Sequence, residues 1–398
     1  MSAWPKARLS DCCEIVSGAT PKTGVEEYWD GEIPWATPKD LSVLRGTYIH
    51  DTPRKITAAG LRSCAASVLP AGSVLLSSRA PIGHVAINTI PMATNQGFKS
   101  LVPDARAVEA KYLYWWLKGN RSYLEGLGNG ATFKEISKAV VAQVEIPLPP
   151  LEEQRRIAEV LNRADEVRTK RREALAHLDD LTQSIFLDMF ATEASNAWPT
   201  VTVADVADQR KGSIRTGPFG SQLLHSEFVD HGVAVLGIDN AVSNEFRWDE
   251  RRFISEEKYQ QLARYAVHPG DVLITIMGTC GRCAVVPDDI PRAINTKHLC
   301  CITLDAGRCM PAFLHRYFLT HPAARRYLQQ TAKGAIMAGL NMEIIKALPV
   351  VLPPLALQQA FVKRLRGVER MKASHRASLA ELDALFASLQ DRAFRGLP

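Results

Sequence analysis

The chain repeats itself. The segment LPPLEEQRRIAEVL, beginning at Leu148, returns as LPPLALQQAFVKRL from Leu352. Upstream, PAGSVL (Pro70 to Leu75) answers PGDVL (Pro269 to Leu273), and ATNQGFKSLVPD (Ala93 to Asp104) answers AINTKHLCCITLD (Ala293 to Asp305). Trp4-Pro5 answers Trp198-Pro199. The spacing between copies widens steadily along the chain, as short insertions in the second copy would make it. Whatever one half builds, the other must build again. At 398 residues the chain also exceeds one ordinary domain and fits two.

The order is globular, helical, globular, helical, with divisions at 1–147, 148–197, 198–351 and 352–398. The globular parts mix short β-rich runs, such as SVLLSS and GDVLITI, with Gly/Pro turns and a helix over Lys111 to Lys118. They read as α/β modules with irregular sheets. From Leu151 to Trp198 there is no Gly or Pro, so a long helix is expected to run there. Pro149-Pro150 sets its start, and Glu152 and Glu153 favour the positive end of its dipole. Apolar residues recur in steps of three and four at Ile157, Leu161, Leu175, Leu178 and Ile185, and in the second copy at Phe361, Leu365, Leu379, Leu382 and Leu389. The middle of each seam turns polar, at Arg168 and Arg171 and at Lys372 and His375. A helix of about 40 residues is about 60 Å long. Pairing the two copies as an antiparallel coiled coil would cover both stripes and relate the modules by a pseudo-two-fold axis. The competing arrangement folds each helix back on its own module. The fold class expected is α+β, with two tandem α/β modules separated by the paired helices.

Duplicated modules on a rigid spacer suit the reading of two short sequences on one face of a duplex. Several motifs sharpen this. The first module carries GATPKT (Gly18 to Thr23), IPWATPKDL (Ile33 to Leu41), SSRAPIGHVAI (Ser77 to Ile87) and TNQGFKSL (Thr94 to Leu101). The second carries RTGPFGSQL (Arg215 to Leu223), GVAVLGIDN (Gly232 to Asn240) and GDVLITIMGTCG (Gly270 to Gly281). With the twin LPPL segments, these make the chain resemble the specificity subunits of type I restriction–modification systems over nearly its whole length. The resemblance implies two target-recognition domains, each reading half of a bipartite, asymmetric site on double-stranded DNA. It implies that the helices set the spacing and dock two modification subunits that methylate adenine at N6, with restriction subunits joining them. S-adenosylmethionine, ATP and Mg would then belong to those partners, and no cofactor to this chain.

Phosphate contacts need Lys, Arg or backbone amides, and base reading needs side chains that fork or reach. Candidates in glycine-punctuated loops are Thr20, Lys22, Arg79, Asn95, Gln96, Lys99 and Lys134 in the first module. In the second they are Arg215, Ser221, Gln222, Arg282, Asn295, Lys297, Lys333 and Asn341. Asn95 and Asn295 also suit a turn-holding role. A net charge of +6 permits a polyanionic partner.

The sequence offers little chemistry of its own. It has no phosphate-binding Walker loop and no Asp-Pro-Pro-Tyr or Asn-Pro-Pro-Tyr run. Asp104 with Glu109-Ala110-Lys111 resembles a nuclease pattern, but the second copy has only Asp305. Eight cysteines include Cys280, Cys283, Cys300 and Cys301, a possible zinc set. The repeat argues for core cysteines instead: Cys280 and Cys283 align with Ile82 and Val85, and Cys301 aligns with Leu101. No catalytic residue and no metal ligand is assigned. A free-standing nuclease or methyltransferase, and a coiled-coil interaction scaffold, are the alternatives. No signal-like or spanning apolar segment is present, so the expected location is cytoplasmic.

Overall fold

A computed structural model describes residues 4–79, 81–129, 134–248, 250–332 and 339–397. The chain divides into two compact units, neither a continuous stretch of sequence. One combines residues 1–172 with 377–398, and the other spans 173–376. Each unit holds one module and a portion of both long helices. Among the described residues no helix is long and apolar enough to cross a membrane.

In the first unit a five-stranded sheet runs in the order Cys13–Ser17, Lys99–Pro103, Val74–Leu76, Val85–Asn88 and Tyr48–Ile49. A three-stranded sheet is built on Trp29–Ala36, which pairs antiparallel with Lys55–Ile56 and parallel with Ala93–Thr94. The helix Ala110–Gly119 starts where the Glu109 carboxylate accepts the Tyr112 amide at 2.7 Å. It buries every residue from Tyr112 to Leu117.

The second unit repeats the plan. Its four-stranded sheet runs Ile214–Thr216, Leu299–Ile302, Val272–Thr275, Cys283–Val285. Val233–Leu236 pairs parallel with Ala293–Asn295, as Trp29–Ala36 does with Ala93–Thr94. The register exposes a hidden insertion. Leu101 stands opposite Val74 and Ile302 opposite Val272, so Cys301 occupies the place of Ser100, not of Leu101.

The long helices are Leu151–Phe190 and Leu355–Arg395. Each start is locked by the same buried glutamine. Gln154 donates to the carbonyls of Pro149 (2.8 Å) and Ala107 (3.0 Å) and accepts the Glu109 amide (2.8 Å). Gln358 donates to Pro353 and Arg308, both at 3.0 Å, and accepts the Met310 amide at 2.8 Å. Without these bonds a buried amide and the first helical turn would both lack partners. The first helix stops at Phe190 although no Gly or Pro intervenes. There the Phe190 ring is buried, and the ring of His321 meets its carbonyl at 3.2 Å.

Within each unit the two helices lie antiparallel. In the first, Ile157 and Leu161 share a small pocket with Leu389 and Ala393, and Arg168 Nε meets Asp383 at 2.6 Å. In the second, Asp179 meets Lys372 at 2.6 Å and Phe186 packs edge-on against Phe361 with ring centres 5.5 Å apart. Ile157, Leu161 and Phe361 are buried. Leu175, Leu178, Ile185, Leu365, Leu379, Leu382 and Leu389 are only partly so. Phe186, Phe190, Phe386 and Phe394 are buried too, and belong to the cores of the modules themselves. Helix pairing and helix-on-module packing therefore coexist, and the apolar arc is wider than a heptad stripe.

Candidate nucleic-acid interface

In the first module four chain segments meet. Gly18 lies so close to the second of them that a Cβ there would sit 1.9 Å from the Asn95 carbonyl oxygen. Only glycine allows this backbone-on-backbone approach. Thr20 then hydrogen-bonds Gln96. The Ser78 amide donates to the Gly97 carbonyl at 2.8 Å, and the Ile136 amide donates to Ser78 at 2.9 Å. Glu135 links Arg79 (3.4 Å) and Lys99 (3.3 Å). Thr20, Gln96, Arg79, Lys134 and the exposed Lys22 thus fall on one composite loop surface. Asn95 Oδ1 caps its own turn, accepting the Gly97 amide at 2.9 Å.

The second module is stitched in the same way. A Cβ on Gly217 would lie 2.0 Å from the Asn295 carbonyl oxygen. The Ile276 amide donates to His298 at 2.9 Å, and the Leu340 amide to Ile276 at 3.0 Å. Ser221, Gln222, Arg282 and Lys297 are exposed around this seam. Gly278 and Gly281 have positive φ, which lets the Met277–Arg282 loop turn twice in quick succession. A cavity of 530 Å³ opens between Pro218–Phe228, Ile238–Asp239 and Thr296–His298.

The family model for the type I restriction modification DNA specificity domain matches residues 1–177 and again 198–384. The chain belongs to that family. It is 38% identical over 189 residues to the MjaIX specificity subunit of Methanocaldococcus jannaschii, a match covering 47% of this chain and 44% of that protein. The chain thus spans less than half of that relative. With the MjaVIII subunit of the same organism it shares 21% over 387 residues, covering 92% and 86%. Its fold resembles that of the S subunit from M. genitalium (TM-score 0.58, 15% identity, 99% and 96% covered). It also resembles a chain solved in a study of complex assembly and conformational transition of the type I R-M system (TM-score 0.59, 19% identity, 99% and 98% covered).

Several sequence candidates are committed to contacts within the fold. Arg215 lies on a strand and is buried. Its guanidinium meets Asp271 Oδ2 at 2.6 Å and donates to the Ala266 carbonyl. A glycine two residues on made it read as a loop arginine, whereas Asp271 neutralises it inside the sheet. Asn295 is fully buried and donates to the Leu299 carbonyl at 2.9 Å, so it holds a turn. Lys99 is a buried strand residue paired with Glu135. Asn341 caps a short helix by accepting the Ile344 amide at 2.8 Å. Lys333 lies outside the described residues.

The nuclease-like pattern dissolves on inspection of its partners. Asp104 is forked by Arg106 at 3.1 and 3.2 Å, which holds its carboxyl below the usual range. Glu109 is spent capping its helix. Cys283, Cys300 and Cys301 are fully buried core residues, and burial pushes the Cys300 thiol up to about 12. Among the described residues no group of three or more His, Cys, Asp or Glu could hold a metal.

Proposed function

We propose that this chain reads a bipartite, asymmetric DNA sequence, one half per module, and directs adenine-N6 methylation by modification subunits docked on its long helices. One observation carries the reading. Both modules close the same backbone seam, with Gly18 on Asn95 and Gly217 on Asn295, yet hang different side chains on it. A conserved frame with divergent exposed groups is what two readers of different sequences require. The chain itself performs no chemistry on the DNA in this scheme. S-adenosylmethionine belongs to the modification subunits, and ATP and Mg to restriction subunits.

Expressing the chain with its modification subunit and mapping N6-methyladenine in a host lacking the system tests this. The expected product is one two-part motif with unlike halves. Methylation without sequence preference, or a single palindromic motif, would contradict it. Binding of the assembled complex should also weaken steeply with salt, since phosphate contacts release counterions.

A further inference from the structure

The two loop surfaces differ in one respect that hydrogen bonding cannot explain. Among the described residues of the second module, four large hydrophobic side chains are exposed, and two of them, Phe219 and Met277, stand within two residues of the seam positions Gly217 and Ile276. The four are Phe219 (55% exposed), Leu224 (48%), Val229 (43%) and Met277 (43%). Phe219 stands between Pro218 and Gly220, which line the same cavity as Thr296, Lys297 and His298. Met277 follows directly on Ile276, whose amide is held by His298. In the first module the exposed large hydrophobics are Val43, Val68, Ile90 and Tyr123. None of these lies on the matching loops. The residue that follows Ser78, and so corresponds to Met277, is Arg79.

Water-exposed phenylalanine and methionine cost free energy unless something covers them. The floor of the DNA major groove offers polar edges almost everywhere, and one apolar group, the C5 methyl of thymine. We infer that the second module selects thymine within its half-site by contact of Phe219 and Met277 with thymine methyls, while the first module relies on Arg79, Thr20 and Gln96. This rests on the DNA-reading function proposed above.

The test uses the assembled complex of this chain with its modification subunits and a duplex carrying the mapped motif. Each thymine of the second half is replaced in turn by uracil, which removes only the methyl. Binding should fall about fourfold for each contacted methyl, the value of one buried carbon. Phe219→Ala and Met277→Ala should each weaken binding to the thymine duplex and lose the uracil response only at the thymine that side chain contacts. Phe219→Leu should keep the uracil response, and base changes in the first half should cost all variants alike. A second half-site without thymine, indifference of the wild type to uracil throughout that half, or variants that lose assembly with the modification subunits instead of thymine selectivity would each overturn the inference. If the wild type shows no sequence-selective binding at all, the reading of the chain as a DNA reader fails with it, and the two failures are told apart.

Discussion

Where the first module places Val16 and Ser73, the second places Arg215 and Asp271. Val16 and Arg215 sit at the same register of the same edge strand, opposite Ser100 and Cys301. Ser73 and Asp271 close the same turn, with their amides donating to Pro70 and His268. One module thus fills this end of its sheet with an apolar contact. The other ties it with a buried ion pair at 2.6 Å, to which Thr303 and the His268 amide add bonds to the carboxylate at 2.6 and 2.9 Å. The central helices differ similarly. Tyr114 is buried in Ala110–Gly119, and the matching position in Pro311–Thr320 holds His315, whose Nε2 lies 3.0 Å from the carbonyls of Asn244 and Cys283. One backbone plan therefore tolerates a less polar or a more polar solution, but the polar one ties stability to each partner and, through the neutral buried His315, to pH.

The widest separation should come from Asp271→Ala. It strands a buried guanidinium and should cost about 3–5 kcal/mol in the second unit, whereas Ser73→Ala in the first should cost about 1 kcal/mol. Denaturant unfolding of the two variants checks this, and equal losses would erase the distinction. Gly18→Ala and Gly217→Ala should instead behave alike. Each drives a Cβ into a carbonyl, and overpacking of this kind costs about 1–3 kcal/mol. Each should also impair selection of its own half-site in methylation mapping. A variant that disturbed both halves equally would argue against independent modules.

Acid should separate the units again. Burial pushes the His315 imidazole down to about 4, against an unfolded value of about 6.5. Between those values the unfolded chain takes up a proton that the folded chain refuses, so stability falls as pH drops through the window. From pH 7 to 5 the second unit should lose roughly 2 kcal/mol from this group. His315→Gln should flatten that slope in calorimetry. Smaller still, Arg79→Ala and Lys297→Ala should each lower the salt slope of DNA binding by about one if they touch phosphate. Last, Lys372→Met should change stability little. Lys372 is 1% exposed, but its partners Asp179 and Glu369 are 63% and 39% exposed, so its removal leaves no buried charge without a counter-charge. A large loss on thermal unfolding would show the pair to be stabilising.

Much of this was legible from residues alone. The twin LPPL segments locate both helix starts, and the glycine-punctuated motifs GATPKT and RTGPFGSQL hold the loops of the two seams. The repeat also marks Cys283 as core, in the place of Val85, whereas Cys280 is only partly buried. What escaped were long-range decisions. Nothing near Arg215 announces Asp271, so a strand arginine resembled a loop arginine. A one-residue insertion in the turn at Asn295–His298 slid the alignment of Cys301 by one place. The heptad frame favoured Ile185 over Phe186 because it assumed one partner per helix, while each helix here faces both a helix and a module. The thymine-facing patch stayed hidden because exposure of Phe219 and Met277 is a property of the fold and not of their neighbours in sequence.

The first unit is completed by residues 377–398, which follow the whole of the second unit in sequence. Phe386 meets Trp115 with ring centres 5.4 Å apart, and Phe394 meets Tyr112 at 5.3 Å. During synthesis, the aromatic helix made early must therefore wait, its flank unsealed, until Phe386 and Phe394 have emerged. A frameshift just after residue 376 would accordingly injure the half of the product translated first.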